Sequence, residues 1–117
     1  MRLSEIGYSG QPPVDGYGPG FFRTGGKLHH GMLLIGPEGV DTWGGVSDAA
    51  PLLALAGRVD VLFIGTGAEV AFPPADLRRA LEEAGIGVEA MASPTAARSY
   101  NMALAEGRRV AVALTPV

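Results

Sequence analysis

The 117-residue sequence predicts a single α/β domain spanning residues 1–117, on three observations. Its second half alternates buried-strand patterns with helical ones, as in βαβ units. Its first half is all β, broken by glycine-rich turns. Hydrophobic residues make up 47% of the chain, enough for a core that buries roughly two-thirds of the surface exposed on unfolding.

The elements follow in order. Residues 7–20, rich in Gly, Pro and Tyr, are expected as an ordered loop. Phe21 to Thr24 forms a strand, and Gly25-Gly26 is a two-residue hairpin signal. The return strand is expected from Lys27 to Ile35, its end Met32-Leu33-Leu34-Ile35 apolar on both faces. Gly36-Pro37-Glu38-Gly39 turns the chain into a short strand from Val40 to Trp43. Ser47 or Asp48 is placed to cap a short helix carrying Leu52, Leu53, Leu55 and Ala56, with Pro51 in its first turn and Gly57 ending it.

Val59 to Ile64 has the composition of a buried central strand. Beyond Gly65-Thr66-Gly67, Pro74 suits a first helical position, and Leu77, Ala80, Leu81 and Ala84 recur at helical spacing until Gly85. Arg78 with Glu82 and Arg79 with Glu83 are i,i+4 pairs on the outer face. Ile86 to Met91 is a second buried strand, expected parallel to the first. Ser93-Pro94 opens a third helix with Ala97, Tyr100 and Leu104 on one face, and Arg109 to Thr115 is the last strand.

Composition excludes several function classes. Nine basic and 12 acidic residues give a net charge of −3, with no basic stripe, so nucleic acid is not expected as a partner. The absence of cysteine removes disulfides, thiolate nucleophiles and thiolate metal sites. The start, Met1 to Gly7, has no apolar core of signal-peptide length, and no apolar run nears the roughly 20 residues that span a bilayer. A cytoplasmic chain without a membrane span is the expectation.

The most site-like feature is a pair of loops, Gly65-Thr66-Gly67 and Ser93-Pro94-Thr95, expected at the carboxyl ends of parallel strands where α/β sheets bind ligands. Glycines admit close backbone approach, and a helix start offers N–H groups to an anion. Arg98 would add a two-pronged donor, with Asn101 on the same face. The structural alternative has the glycines making a turn, Ser93 or Thr95 capping the helix, and Arg98 pairing with Glu89 or Glu106. Dinucleotide binding fails on detail: the third fingerprint glycine would be Val70, and the helix starts only after Pro73-Pro74.

No catalytic residues, metal site or cofactor can be assigned. His29 and His30, adjacent on a strand, point to opposite faces, so they cannot share a metal from it. Ser9 and Ser47 sit in no nucleophile elbow, and Asp15, Asp41 and Asp60 are isolated acids. Trp43 is most simply a core anchor with its N–H bonded; exposed beside Phe21 and Phe22, it would instead mark a contact surface together with Tyr17.

Taken together, Asp15-Gly16-Tyr17-Gly18-Pro19-Gly20-Phe21-Phe22-Arg23, Trp43 after its Pro-Glu-Gly turn, Ile64-Gly65-Thr66-Gly67, and the block from Met91 to Asn101 with Leu104, Glu106, Gly107, Arg108, Arg109 and Val110 resemble one family. It is the small single-domain family that includes mitochondrial complex I assembly factor 3 and the adipogenesis-associated domain protein, with many bacterial members. Ser93 and Ser99 stand where threonine is common in that family, which keeps a hydroxyl. The resemblance implies a three-layer α/β fold with a mixed central sheet and an added β-hairpin layer. It also implies a binding role without a known reaction. Three functional expectations follow: a non-enzymatic interaction or assembly protein using residues 16–23 and the Trp43 region; a small-anion binder or enzyme at the Gly65–Gly67 and Ser93–Arg98 edge; and a homodimer that buries the aromatic hairpin.

Overall fold

The computed structural model describes residues 11–117; the expectations for Met1 to Gly10 lie outside them. Five short strands come first: β1 (Val14–Gly18), β2 (Phe21–Thr24), β3 (Lys27–His30), β4 (Leu33–Gly36) and β5 (Gly39–Thr42). Then come α1 (Ala50–Leu53), β6 (Val61–Thr66), α2 (Ala75–Glu83), β7 (Gly87–Met91), α3 (Ser93–Ala105) and β8 (Val110–Thr115). Strands β1-β2-β3 form an antiparallel sheet, and the second sheet has the order β5-β4-β8-β6-β7.

The second sheet is mixed. β6 pairs in parallel with β7 on one side and β8 on the other, while β4 runs antiparallel to β8 and β5. Parallel neighbours need a crossover, and α2 and α3 supply the two. Because α3 carries the chain past β6, the carboxyl ends of β6, β7 and β8 share one edge of the sheet. The βαβ expectation holds.

Alternation along the central strands divides the core into two faces. Leu62, Ile64, Ala111 and Ala113 pack with Leu52 of α1 and with Leu77 and Leu81 of α2. Phe63, Val110, Val112 and Leu114 pack with Ala96, Ala97, Tyr100 and Ala103 of α3, and with Val14 and Phe22 of the small sheet. The result is three layers, with α3 and the three-stranded sheet side by side in the third. Leu104 is partly buried against that same face, as its spacing indicated.

Hydrogen bonds tie the small sheet down. The Asn101 side chain donates to the Val14 carbonyl and accepts from the Val14 N–H, both at 2.8 Å, so it acts as a strand partner for the start of β1. The Tyr100 hydroxyl donates to the Pro12 carbonyl at 2.7 Å, and Thr24 Oγ1 to that of Pro13 at 2.7 Å. Burial holds the Tyr100 phenol neutral by raising its pKa above the ordinary value.

Several local expectations are corrected. Part of the expected 7–20 loop is β1; its register slips between Val14 and Gly16, and the Phe21 ring covers Gly18. Ladder bonds to β2 outweigh the poor strand propensity of two glycines. The expected strand from Lys27 to Ile35 breaks at Gly31 (φ +87°), so that β3 and β4 belong to different sheets. Neither Ser47 nor Asp48 caps α1, whose N-cap is Ala49; the Asp48 carboxylate accepts from the Gly44 N–H instead. Pro74 is the N-cap of α2 rather than its first helical residue. Arg78 does pair with Glu82, at 3.5 Å, but Arg79 turns back one turn to Asp76, at 3.0 Å, rather than forward to Glu83.

Phe22 lies fully buried between the small sheet and α3. Phe22→Ala is expected to cost about 3–5 kcal/mol of stability, read as a lowered midpoint in urea unfolding.

Candidate functional site

The strand expected over 59–64 runs two residues later, from Val61 to Thr66, so Gly65 and Thr66 are strand residues and only Gly67 leaves it. Gly67 takes φ +101°, and its N–H donates to Ser93 Oγ at 2.9 Å. The Ser93 N–H returns a bond to the Gly67 carbonyl at 2.8 Å. Ser93 Oγ also donates to the Thr115 carbonyl at 2.6 Å, and Ser93 is fully buried. The two loops therefore meet as the topology requires, and what they grip is each other.

Gly65 makes this approach possible. A Cβ there would lie 2.7 Å from Ser93 Oγ, 2.8 Å from a Leu114 methyl and 2.9 Å from Ser93 Cα. The Thr66 hydroxyl is also engaged: it donates to the Glu69 carbonyl at 2.7 Å and accepts from the Ala71 N–H at 3.0 Å, closing the turn after the strand.

Little is left for an anion. In the first turn of α3, the Ser93 N–H is bonded to Gly67, Pro94 has no N–H, and Ala96 donates to the Ala92 carbonyl at 2.9 Å. The Thr95 N–H is then the one first-turn donor without a bond among the described residues. Thr95 and Arg98 are exposed and touch each other through a long 3.4 Å contact; Arg98 has no ion pair with Glu89 or Glu106. Asn101, expected beside Arg98 at the site, is spent on Val14.

The expected aromatic surface is smaller than its sequence indicated. Tyr17 is exposed, and Phe21 is half-buried with its ring 6.2 Å from that of His30. Phe22 and Trp43 are core residues, which corrects their assignment as partner contacts: strand alternation turns Phe22 inward, and the Trp43 indole N–H donates to the Asp48 carbonyl at 3.2 Å. Among the described residues, no three His, Asp or Glu side chains converge to hold a metal, and no helix is long and apolar enough to cross a membrane.

The same sheet edge carries a feature that sequence reasoning missed. The segment between Gly67 and α2 projects Val70 and Phe72 outward, and Phe72 is 95% exposed. Beside it lies a cleft of about 340 Å³ lined by Met32, Val46, Ile64, Thr66, Phe72 and Pro73. The signal was present: a phenylalanine in a short strand-to-helix loop, followed by two prolines that stop it from folding back.

Comparison with known proteins places the chain in a family. Residues 14–115 match a family model described as a protein of unknown function, DUF498/DUF598. The chain belongs to the DUF498/DUF598 family. An uncharacterized protein of Rhodobacter capsulatus is 50% identical over 117 residues, all of this chain and 94% of that one. The zebrafish NADH dehydrogenase [ubiquinone] 1 alpha subcomplex assembly factor 3 is 28% identical over 86% of this chain and 62% of its own length. Among solved structures, one described as an outer membrane protein from Bartonella henselae superposes with a TM-score of 0.84 at 33% identity, covering 94% of this chain and 99% of that one. The three-layer architecture is thus that of a DUF498/DUF598 domain, and the resemblance to assembly factor 3 is a real, distant relationship.

Two outcomes test the internal role of the edge. Ser93→Ala leaves the Gly67 N–H and the Thr115 carbonyl without their partner and should cost about 1–3 kcal/mol in chemical denaturation. Gly65→Ala should cost a similar amount, about 1–3 kcal/mol, by overpacking against Ser93 and Leu114.

Proposed function

We infer that this domain is a non-enzymatic interaction protein, an assembly factor in the broad sense, whose contact surface is the Phe72 loop and its cleft. The observation that carries this reading is Phe72 itself, a large apolar side chain 95% exposed beside an apolar recess while the polar groups of the same edge are bonded internally. Such an exposed anchor is the kind of residue that dominates protein contacts when a partner covers it. The relationship to the zebrafish assembly factor supports the same class of role.

The anion-binding alternative has less behind it, since its proposed hydroxyls and N–H groups already have partners within the fold. The contact surface of this reading is accordingly Phe72, Val70 and Val46 rather than Phe22 and Trp43, which are buried.

Burying Phe72 against a partner would contribute about 2–3 kcal/mol. Phe72→Asp should then weaken partner binding by about 10- to 100-fold without lowering the melting temperature. Affinity isolation of the tagged chain from its source cell, followed by native mass spectrometry, should recover one stoichiometric complex with wild type and free protein with the variant. Wild type recovered only as free protein would remove the reading.

A further inference from the structure

The turn between β4 and β5 leaves a recess on the face of the large sheet that α1 covers. Leu34 lies opposite Asp41 and Gly36 opposite Gly39 in the β4–β5 ladder, so all four stand on one face. It is the face on which Leu34 packs with Leu52 and Leu55. Gly36 and Gly39 bring no side chain to it, and a Cβ at Gly36 would already lie 3.3 Å from a Leu55 methyl. Pro51 of α1 and Ala54 just after it form the opposite wall. The result is a cleft of about 250 Å³ whose apolar interior is Leu34, Leu55, Pro51 and Ala54. It shares no lining residue with the Phe72 cleft.

Glu38, Asp41 and Arg58 complete the lining. Arg58 Nη1 donates to Glu38 Oε2 at 2.6 Å, an ion pair of exposed groups that joins the turn to the segment after α1. Asp41 has no ion pair among the described residues. Two carboxylates against one guanidinium leave the cleft with one uncompensated negative charge, in a chain whose net charge is −3. A cation is drawn to this rim, whereas an anion would have to displace Glu38 from Arg58 and pass Asp41. Size narrows the occupant further. The cleft is larger than the roughly 150 Å³ cavity that takes benzene and smaller than the roughly 300 Å³ at which drug-sized pockets begin.

We propose that the β4–β5 turn and α1 form a site for a small primary alkylammonium. Its hydrocarbon lies against Leu34, Leu55, Pro51 and Ala54, and its N–H groups donate to the Asp41 carboxylate. A free amine and a lysine side chain offer this same chemistry. The site does not depend on the Phe72 contact surface.

The test is a titration of the ¹⁵N-labelled full chain with isopentylamine, isopentanol and isocaproate, which share one apolar body and differ in charge. The amine is expected to shift the Asp41, Ala54 and Leu55 amides. The alcohol should bind about fivefold more weakly and the carboxylate not at all. N-acetyl-lysine methylamide is the second amine: binding of either supports the site, and the tighter of the two names the source. Asp41→Asn keeps the shape and should cost about fivefold in affinity. Asp41 also borders a second cleft, beside β3. Ala54→Trp, at an exposed position that the second cleft lacks, should therefore abolish binding with Asp41 intact. Arg58→Gln frees Glu38 and should tighten the amine by about two- to fivefold, with the melting temperature little changed. Phe72→Asp should leave the titration as in wild type, so this site and the Phe72 contact stand or fall separately. No response to either amine, equal binding of amine and alcohol, preference for the carboxylate, or binding that survives Ala54→Trp would each overturn the proposal.

Discussion

One serine hydroxyl joins three elements at the edge of the large sheet. Ser93 Oγ accepts from the Gly67 N–H at the end of β6 and donates to the Thr115 carbonyl at the end of β8, while its own N–H starts α3 from the Gly67 carbonyl. Ser93 itself is fully buried, where an unmet donor or acceptor is costly. Gly65 clears the space, since any side chain there would meet Ser93. The start of α3 is thereby set against the sheet, and with it the positions of Tyr100 and Asn101 two turns further on. Those two side chains hold residues 12 to 14, and so the small sheet sits where α3 puts it.

This constraint decides what the edge can do. Groups that in a phosphate site would point at a ligand are here consumed in holding the fold together. The glycine of a phosphate loop allows a ligand to approach the backbone; Gly65 allows a helix to approach. Outside that network, this edge presents the apolar Phe72 loop, latched by the Thr66 hydroxyl. The break at Gly31 parts β3 from β4, so that the two strands belong to different sheets.

Much of the architecture was legible because it is local. The apolar runs of β6, β7 and β8, the spacing of Leu77 and Leu81, and the Gly25-Gly26 turn each declare their element within a few residues. The juxtaposition of the Gly67 and Ser93 loops was legible too, from parallel strand order alone. What escaped depends on distant partners. β1 forms despite Gly16 and Gly18 because β2 and Asn101 supply its bonds, the latter from 87 residues away. The division of β3 from β4 rests on one glycine at positive φ, and a glycine inside a strand pattern does not announce which sheet each half joins. Phe22 and Trp43 could be read as surface or core until neighbours chose, whereas Phe72 was overlooked because loops were searched for polar chemistry.

The claim that this edge is a structural closure rather than a ligand site is most directly tested by native-state hydrogen exchange at Gly67 and Ser93. Both amides should exchange only through global unfolding, with protection equal to that of the central β8 strand and unaltered by added phosphate or nucleotide. Exchange as fast as that of the neighbouring loop amides, or protection that rises when an anion is added, would contradict the account.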